Sequence, residues 1–119
     1  MKRFGPGFLI LSCALALSGR IMAQDIVKVA PKNCKVLLDN KKVRIVEVRL
    51  KAGEKLPMHS HPANVVYSFT GGKAKYTSPD GKVTERDTKA DEAVWSDPVT
   101  HATENTSKKA ARVLVIELK

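Results

Sequence analysis

The chain has 119 residues, and its 21 basic residues against 12 acidic ones give a formal charge of +9. This length suits one domain rather than two. The basic residues are scattered, with few aromatic residues between them, which argues against a nucleic-acid-binding surface and favours solubility or attraction to anionic partners.

The first 23 residues have the layout of a secretory signal peptide. Lys2 and Arg3 precede an apolar run over 8–17, and the small residue Ala23 follows. The run is too short to span a bilayer comfortably. We therefore expect cleavage near Ala23, a periplasmic or secreted product and no stable membrane insertion afterwards; the alternative is an uncleaved anchor. The mature chain, 24–119, keeps a formal charge of +6, because the removed segment holds three basic and no acidic residues.

The mature chain begins with an arm and has a single cysteine. Residues 24–34 predict an N-terminal arm or an edge strand, because Pro31 is unsuited to a central strand. Cys34 has no partner for an internal disulfide and fits a small buried apolar residue better than a nucleophile. Packing alone must hold a domain of this size, and pairing buries more apolar surface.

The remaining chain predicts an all-β domain without a helix. Short apolar or alternating runs are separated by turn signals every eight to twelve residues, which is typical of a sandwich or barrel. The segment "SPDGK", 78–82, predicts a tight hairpin. The predicted strands are 35–38, 43–50, 65–70, 73–77, 83–88, 93–96, 101–106 and 111–118. We expect one small antiparallel β-barrel or jelly roll.

The three histidines of the chain are the candidate metal ligands. His59 and His61 are two residues apart, so in a strand their side chains share a face. By itself such a pair is a weak metal signal, because on an exposed edge strand it is more often a solvated patch. His101 begins a predicted strand after a proline turn, and a third imidazole facing the same interior would complete a facial ligand set with open positions.

The spacing around the histidine pair resembles the first motif of the cupins. Gly53, His59, His61 and Gly72 match its pattern of Gly, five residues, His-x-His, three or four residues, Glu, six residues and Gly. The match at the second motif is weaker, and it rests on His101 with an asparagine four residues later. The resemblance implies a double-stranded β-helix over most of the mature chain. It also implies a divalent metal held by the three histidines. A homodimer, with the N-terminal arm as a contact, is the further expectation that the resemblance carries.

The glutamate of the first motif is missing. Strict spacing from the motif's last glycine places Val65 there, and a one-residue slip places Asn64 there instead; the sequence does not choose between them. Without the carboxylate, three neutral nitrogen donors suit Fe, Cu, Zn or Ni better than Mn, which favours oxygen. Some dioxygenases of the cupin family resemble this arrangement.

Tyr67 is the candidate catalytic residue. If Val65 faces inward then Tyr67 does too, and its hydroxyl would orient a substrate; the alternative is a core aromatic side chain. The interpretation is a metal-binding cupin acting as an oxygenase, isomerase or lyase on a small anionic or enolic substrate. The alternative is a non-catalytic protein of cupin fold that binds a small ligand or a metal ion.

Overall fold

Two antiparallel sheets make up the domain. The computed structural model describes residues 24–119, so the predicted signal peptide, 1–23, lies outside the described residues. The strands are β1 Cys34–Asp39, β2 Val43–Leu50, β3 Lys55–His61, β4 Asn64–Ser68, β5 Gly72–Thr77, β6 Val83–Thr88, β7 Glu92–Ser96, β8 Val99–Asn105 and β9 Ala111–Leu118. The prediction of an all-β, two-sheet domain is confirmed. Eight of these strands coincide with predicted runs, and β3 is the addition.

The sheets have the strand orders β1-β2-β9-β4-β7 and β3-β8-β5-β6. Alternation along each strand sends every second side chain into the space between the sheets. On β2 and β9, Val46, Val48 and Val115 point inward and are at most 5% exposed. Leu56 of β3 meets them from the other sheet. This core fills part of the interior, and the remaining space forms a cavity that the histidines enter.

The N-terminal arm forms one helical turn, α1 Ile26–Val29, which the sequence did not predict. A four-residue helix is too short to show a helical period, so no sequence pattern announces it. Asp25 caps it by accepting a hydrogen bond from the Val27 N–H at 2.8 Å. Ile26 is 1% exposed and belongs to the core. The segment left open as an arm or edge strand is therefore an arm that packs into its own domain.

Several large apolar side chains remain on the outside of the five-stranded sheet. On the edge strand β1, Val36, Leu37 and Leu38 are each more than 40% exposed, and Trp95 of β7 is 54% exposed. The expected homodimer stays a prediction. Within residues 24–119, no helix is long and apolar enough to cross a membrane.

Candidate metal centre

Three imidazole rings meet at one end of the interior cavity. His59 and His61 come from β3, and His101 comes from the neighbouring strand β8, where it stands directly opposite His59 in the ladder. The ring centroids of His59 lie 4.9 Å from each of the other two, and those of His61 and His101 are 5.7 Å apart. One ligand nitrogen from each ring lies within 4.8 Å of the others.

A bulge in β3 aims the histidine pair. The ladder with β8 shifts register between Leu56 and His59, and this interval contains Pro57, which has no N–H for the ladder. The extra residue resets the alternation, so that Leu56, His59 and His61 all face inward although the first two are three residues apart. The preceding turn needs Gly53, whose φ of 75° is a left-handed conformation that glycine adopts without strain.

Hydrogen bonds fix which nitrogen of each β3 histidine is available. His59 Nδ1 lies 2.7 Å from the Pro57 carbonyl oxygen, which can only accept, so Nδ1 carries the proton. His61 Nδ1 likewise donates to Oε2 of Glu117 at 2.9 Å. Both rings therefore turn the lone pair of Nε2 toward the cluster. This is the arrangement in which outer hydrogen bonds orient the histidines of metal sites.

Burial keeps the imidazoles in the form that binds metals. Burial lowers the pKa of His59, against an opposing effect of its hydrogen bond to Pro57. Burial, followed by the charges of His59 and His61, lowers the pKa of His101 to about 3. Both rings are thus neutral near pH 7, and neutral imidazole is the ligand form.

A chain of charged side chains, buried at its inner end, supports His61 from the other sheet. Glu117 on β9 is 3% exposed, and while Oε2 accepts from His61, Oε1 accepts from Arg44 Nε at 2.7 Å. Arg44 also pairs with Asp25 in the arm, with 2.6 Å between Nη1 of Arg44 and Oδ2 of Asp25. Sequence reasoning missed Glu117. Its only signal is its phase, because it follows Val115 by two residues in an apolar strand and so shares an inward face.

The position of the missing glutamate is resolved by the register of β4. Asn64 is 1% exposed and faces the cavity, as does Val66, whereas Val65 lies on the other face. Asn64 pairs with Glu117 in the ladder with β9 and donates through Nδ2 to the Pro62 carbonyl at 2.8 Å. Of the two residues considered from the sequence, Asn64 is thus the inward one, and it brings no carboxylate.

The structure does not support the assignment of Tyr67 as a catalytic residue. Because Val65 faces outward, Tyr67 does too, and its hydroxyl donates to Oδ1 of Asp91 at 3.0 Å on the surface. The tyrosine at the histidine cluster is Tyr76 of β5, whose ring centroid lies 5.0 Å from that of His101. Sequence reasoning missed Tyr76, since its strand shows no sign of which face is inward.

Three other polar or aromatic residues have structural or surface positions. Asn105 is 2% exposed and donates through Nδ2 to the carbonyl oxygens of Lys51 and Lys109, so it braces two turns. Trp95 lies on the surface and is 54% exposed. Cys34 is half-buried, and burial, with the negative charge of Asp25, raises its pKa to about 11, so it is a poor nucleophile.

No family model and no curated protein matches this chain. Solved structures do resemble it. A cupin domain from Bordetella pertussis Tohama I is 25% identical with a TM-score of 0.67, covering 72% of this chain and 91% of that one. A protein with a double-stranded β-helix domain from Klebsiella pneumoniae subsp. pneumoniae MGH 78578 is 20% identical with a TM-score of 0.59, covering 71% and 70%.

A cupin superfamily protein from Desulfitobacterium hafniense DCB-2 is also similar, at 20% identity and a TM-score of 0.53, with 71% of this chain and 74% of that chain covered. The shared feature is the arrangement of two antiparallel sheets. The chain therefore has the double-stranded β-helix fold of the cupins, as its motifs implied. Because a fold hosts many unrelated functions, the function must be argued from the histidine cluster and its cavity.

Proposed function

We propose that this protein binds one divalent transition metal ion through His59, His61 and His101. The observation that carries the proposal is the convergence of three ring nitrogens within 4.8 Å, two of them held in the ligand tautomer by hydrogen bonds. Small side-chain rotations bring such nitrogens to the ~2.0–2.1 Å that metal–imidazole bonds need.

The donor set indicates which ions fit. Three neutral imidazoles suit Fe, Cu, Zn or Ni, whereas Mn favours oxygen donors. The carboxylate of Glu117 stands behind His61, and Asn64 occupies the inward position on β4 without a charge. A bound ion would supply Lewis-acid or redox chemistry at positions left open by the protein. The chain's own contribution is to orient the rings and to surround the open side with a mostly apolar wall.

A small ligand would reach the metal ion through the cavity. Two functions are consistent with this arrangement. The first is a metal-dependent enzyme of oxygenase, isomerase or lyase type acting on a small anionic or enolic substrate. The second is a non-catalytic ligand- or metal-binding protein. A specific observation favours the second: among the described residues that line the cavity, none is an Asp or Glu that could act as a general base.

The proposal includes an extracytoplasmic location, which the layout of residues 1–23 supports. It also retains the homodimer. The exposed apolar side chains of β1 support the dimer, because pairing would cover them.

Metal analysis tests the site. The protein is purified without added metal and its metal content is measured, alongside variants in which each of His59, His61 and His101 is replaced by Ala. Met58→Leu is the matched control, because Met58 lies on the same strand but does not line the cavity. We expect about one ion per chain in the wild type and control, and loss of stoichiometric binding in every histidine variant. A histidine variant that retains full occupancy refutes the three-histidine site.

Turnover separates the two functions. The metal-loaded protein is incubated with small enols and carboxylates under air and under nitrogen, and products are followed by mass spectrometry. A product that the wild type forms and His101→Ala does not form favours the enzyme. A tightly held ion and tight ligand binding with no product favour the binding protein.

A further inference from the structure

Within residues 24–119, two charged side chains line the cavity, and both are cations. The cavity has a volume of about 160 Å³, and Lys73 and Arg86 lie on its wall, with no acidic residue among the described residues that line it. The three imidazoles bring no negative charge, and the nearby carboxylate of Glu117 is already paired with Arg44. A cleft lined by one sign of charge with low-dielectric walls concentrates the opposite charge. The cavity therefore favours an anion.

Arg86 differs from the other arginines of the described chain. Arg44, Arg49 and Arg112 each form an ion pair with a carboxylate. Arg86 has no ion pair and no hydrogen bond to another side chain within residues 24–119. It stands opposite Ala74 in the ladder between β6 and β5, and it both lines the cavity and is exposed to solvent.

Tyr76 lies between this cation and the histidine cluster. It follows Ala74 by two residues on β5 and so shares its inward face, next to Arg86 on the diagonal. Its ring packs on His101, and its hydroxyl makes no hydrogen bond within the described part of the chain. The hydroxyl is therefore available as a hydrogen-bond donor to a ligand in the cavity.

We propose that Arg86 and Tyr76 form an anion-recognition subsite and that the ligand is a small carboxylate. The carboxylate end meets the Arg86 fork, which matches its two oxygens, and accepts a hydrogen bond from Tyr76. The rest of the ligand extends toward the three histidines. The cavity is smaller than the ~300–1,000 Å³ of sites for drug-sized ligands, which restricts the ligand to a small molecule. This inference rests on the proposed metal centre.

The test is a titration of the purified protein, loaded with Co(II), with succinate and with its uncharged analogue succinamide. Binding is measured by calorimetry at low ionic strength. We expect Arg86→Gln to raise the Kd for succinate about tenfold or more, because charge-assisted hydrogen bonds are the strong ones. Tyr76→Phe should raise it severalfold, and neither variant should alter the response to succinamide.

Lys75→Gln is the matched control. This substitution also removes one positive charge, but from the neighbouring strand β5, and Lys75 does not line the cavity. We expect its Kd for succinate to stay within about threefold of the wild type. Co(II) stoichiometry and thermal melting are measured for every variant, and both should be unchanged by Arg86→Gln because that residue is exposed.

Failure of the anion-recognition subsite and failure of the metal centre give different results. Normal Co(II) loading with equal succinate affinity in the wild type and Arg86→Gln overturns the subsite and leaves the metal centre standing. If the wild type holds no Co(II), the metal centre fails, and the same titrations are run on the metal-free protein. There, weakening by Arg86→Gln but not by Lys75→Gln supports the subsite, and equal or undetectable binding in all three overturns it.

Discussion

Replacing Glu117 by Gln should weaken metal binding without touching a ligand. The carboxylate accepts from His61 at 2.9 Å and from Arg44 at 2.7 Å, and both partners are donors. A Gln side chain has one carbonyl oxygen that accepts hydrogen bonds. Its NH₂ group is itself a donor and cannot accept from the second partner. Glu117→Gln therefore loses at least one of the two bonds, and the His61 ring loses either its orientation or its added basicity.

The expected size follows from other outer hydrogen bonds of metal sites. Their removal costs about 10- to 100-fold in metal affinity, or about 1.4–2.8 kcal/mol. The free energy of unfolding should also fall by about 1–3 kcal/mol, because a buried donor is left without an acceptor. Zn(II) affinity is measured by competition with a chromophoric chelator, and stability is measured by urea unfolding of the metal-free protein.

Glu47→Gln separates the two effects. Glu47 is a buried carboxylate of the same five-stranded sheet, and it binds Arg49 and Arg112 instead of a histidine. Its replacement should lower stability without changing the Kd for Zn(II). The reasoning is refuted if Glu117→Gln and Glu47→Gln bind Zn(II) with the same affinity as the wild type.

Three further predictions concern the arm and the surface. Ile26→Ala should lower the free energy of unfolding by about 2–5 kcal/mol in urea titrations, because the side chain is 1% exposed in the core, whereas the exposed Lys28→Ala should change it by less than about 0.5 kcal/mol. Alkylation of Cys34 by iodoacetamide at pH 8 should be about a hundredfold slower than that of a free cysteine, because a pKa of about 11 leaves little thiolate. The rate should rise about tenfold per pH unit up to pH 10. A rate like that of free cysteine at pH 8 contradicts this prediction. Tyr67→Phe should leave the Zn(II) Kd unchanged, because its hydroxyl bonds to Asp91 outside the cavity, and a tenfold change would restore Tyr67 as a site residue.

The sequence predicted most of the strands and all three members of the histidine cluster. Turn residues and alternating runs are local signals, and the His-x-His spacing carries its own geometry. The single turn at Ile26 had no such signal. The face of a strand is harder to read, because a one-residue shift in register exchanges inside and outside. Because of a shift of this size, Tyr67 faces outward instead of into the cavity. For the same reason Asn64, and not Val65, is the residue of β4 that faces inward.

Glu117 and Tyr76 show a second limit. Both lie on strands where neighbouring residues give no contrast between faces: β9 is apolar on both sides, and β5 is mixed. Their roles depend on partners 56 residues away for Glu117 and on another strand for Tyr76. Such contacts are properties of the tertiary structure, and no local pattern encodes them.

The chain of charges from Asp25 through Arg44 and Glu117 to His61 makes site assembly inseparable from the folding transition. Its two bonds to Glu117 join segments 73 and 56 residues apart in sequence, so neither of them can form in a partly folded fragment that lacks β9. An ion that binds only the native arrangement then stabilises the whole domain by mass action. In turn, any substitution that unfolds the domain, however far from the histidines, lowers metal occupancy in proportion to the unfolded fraction.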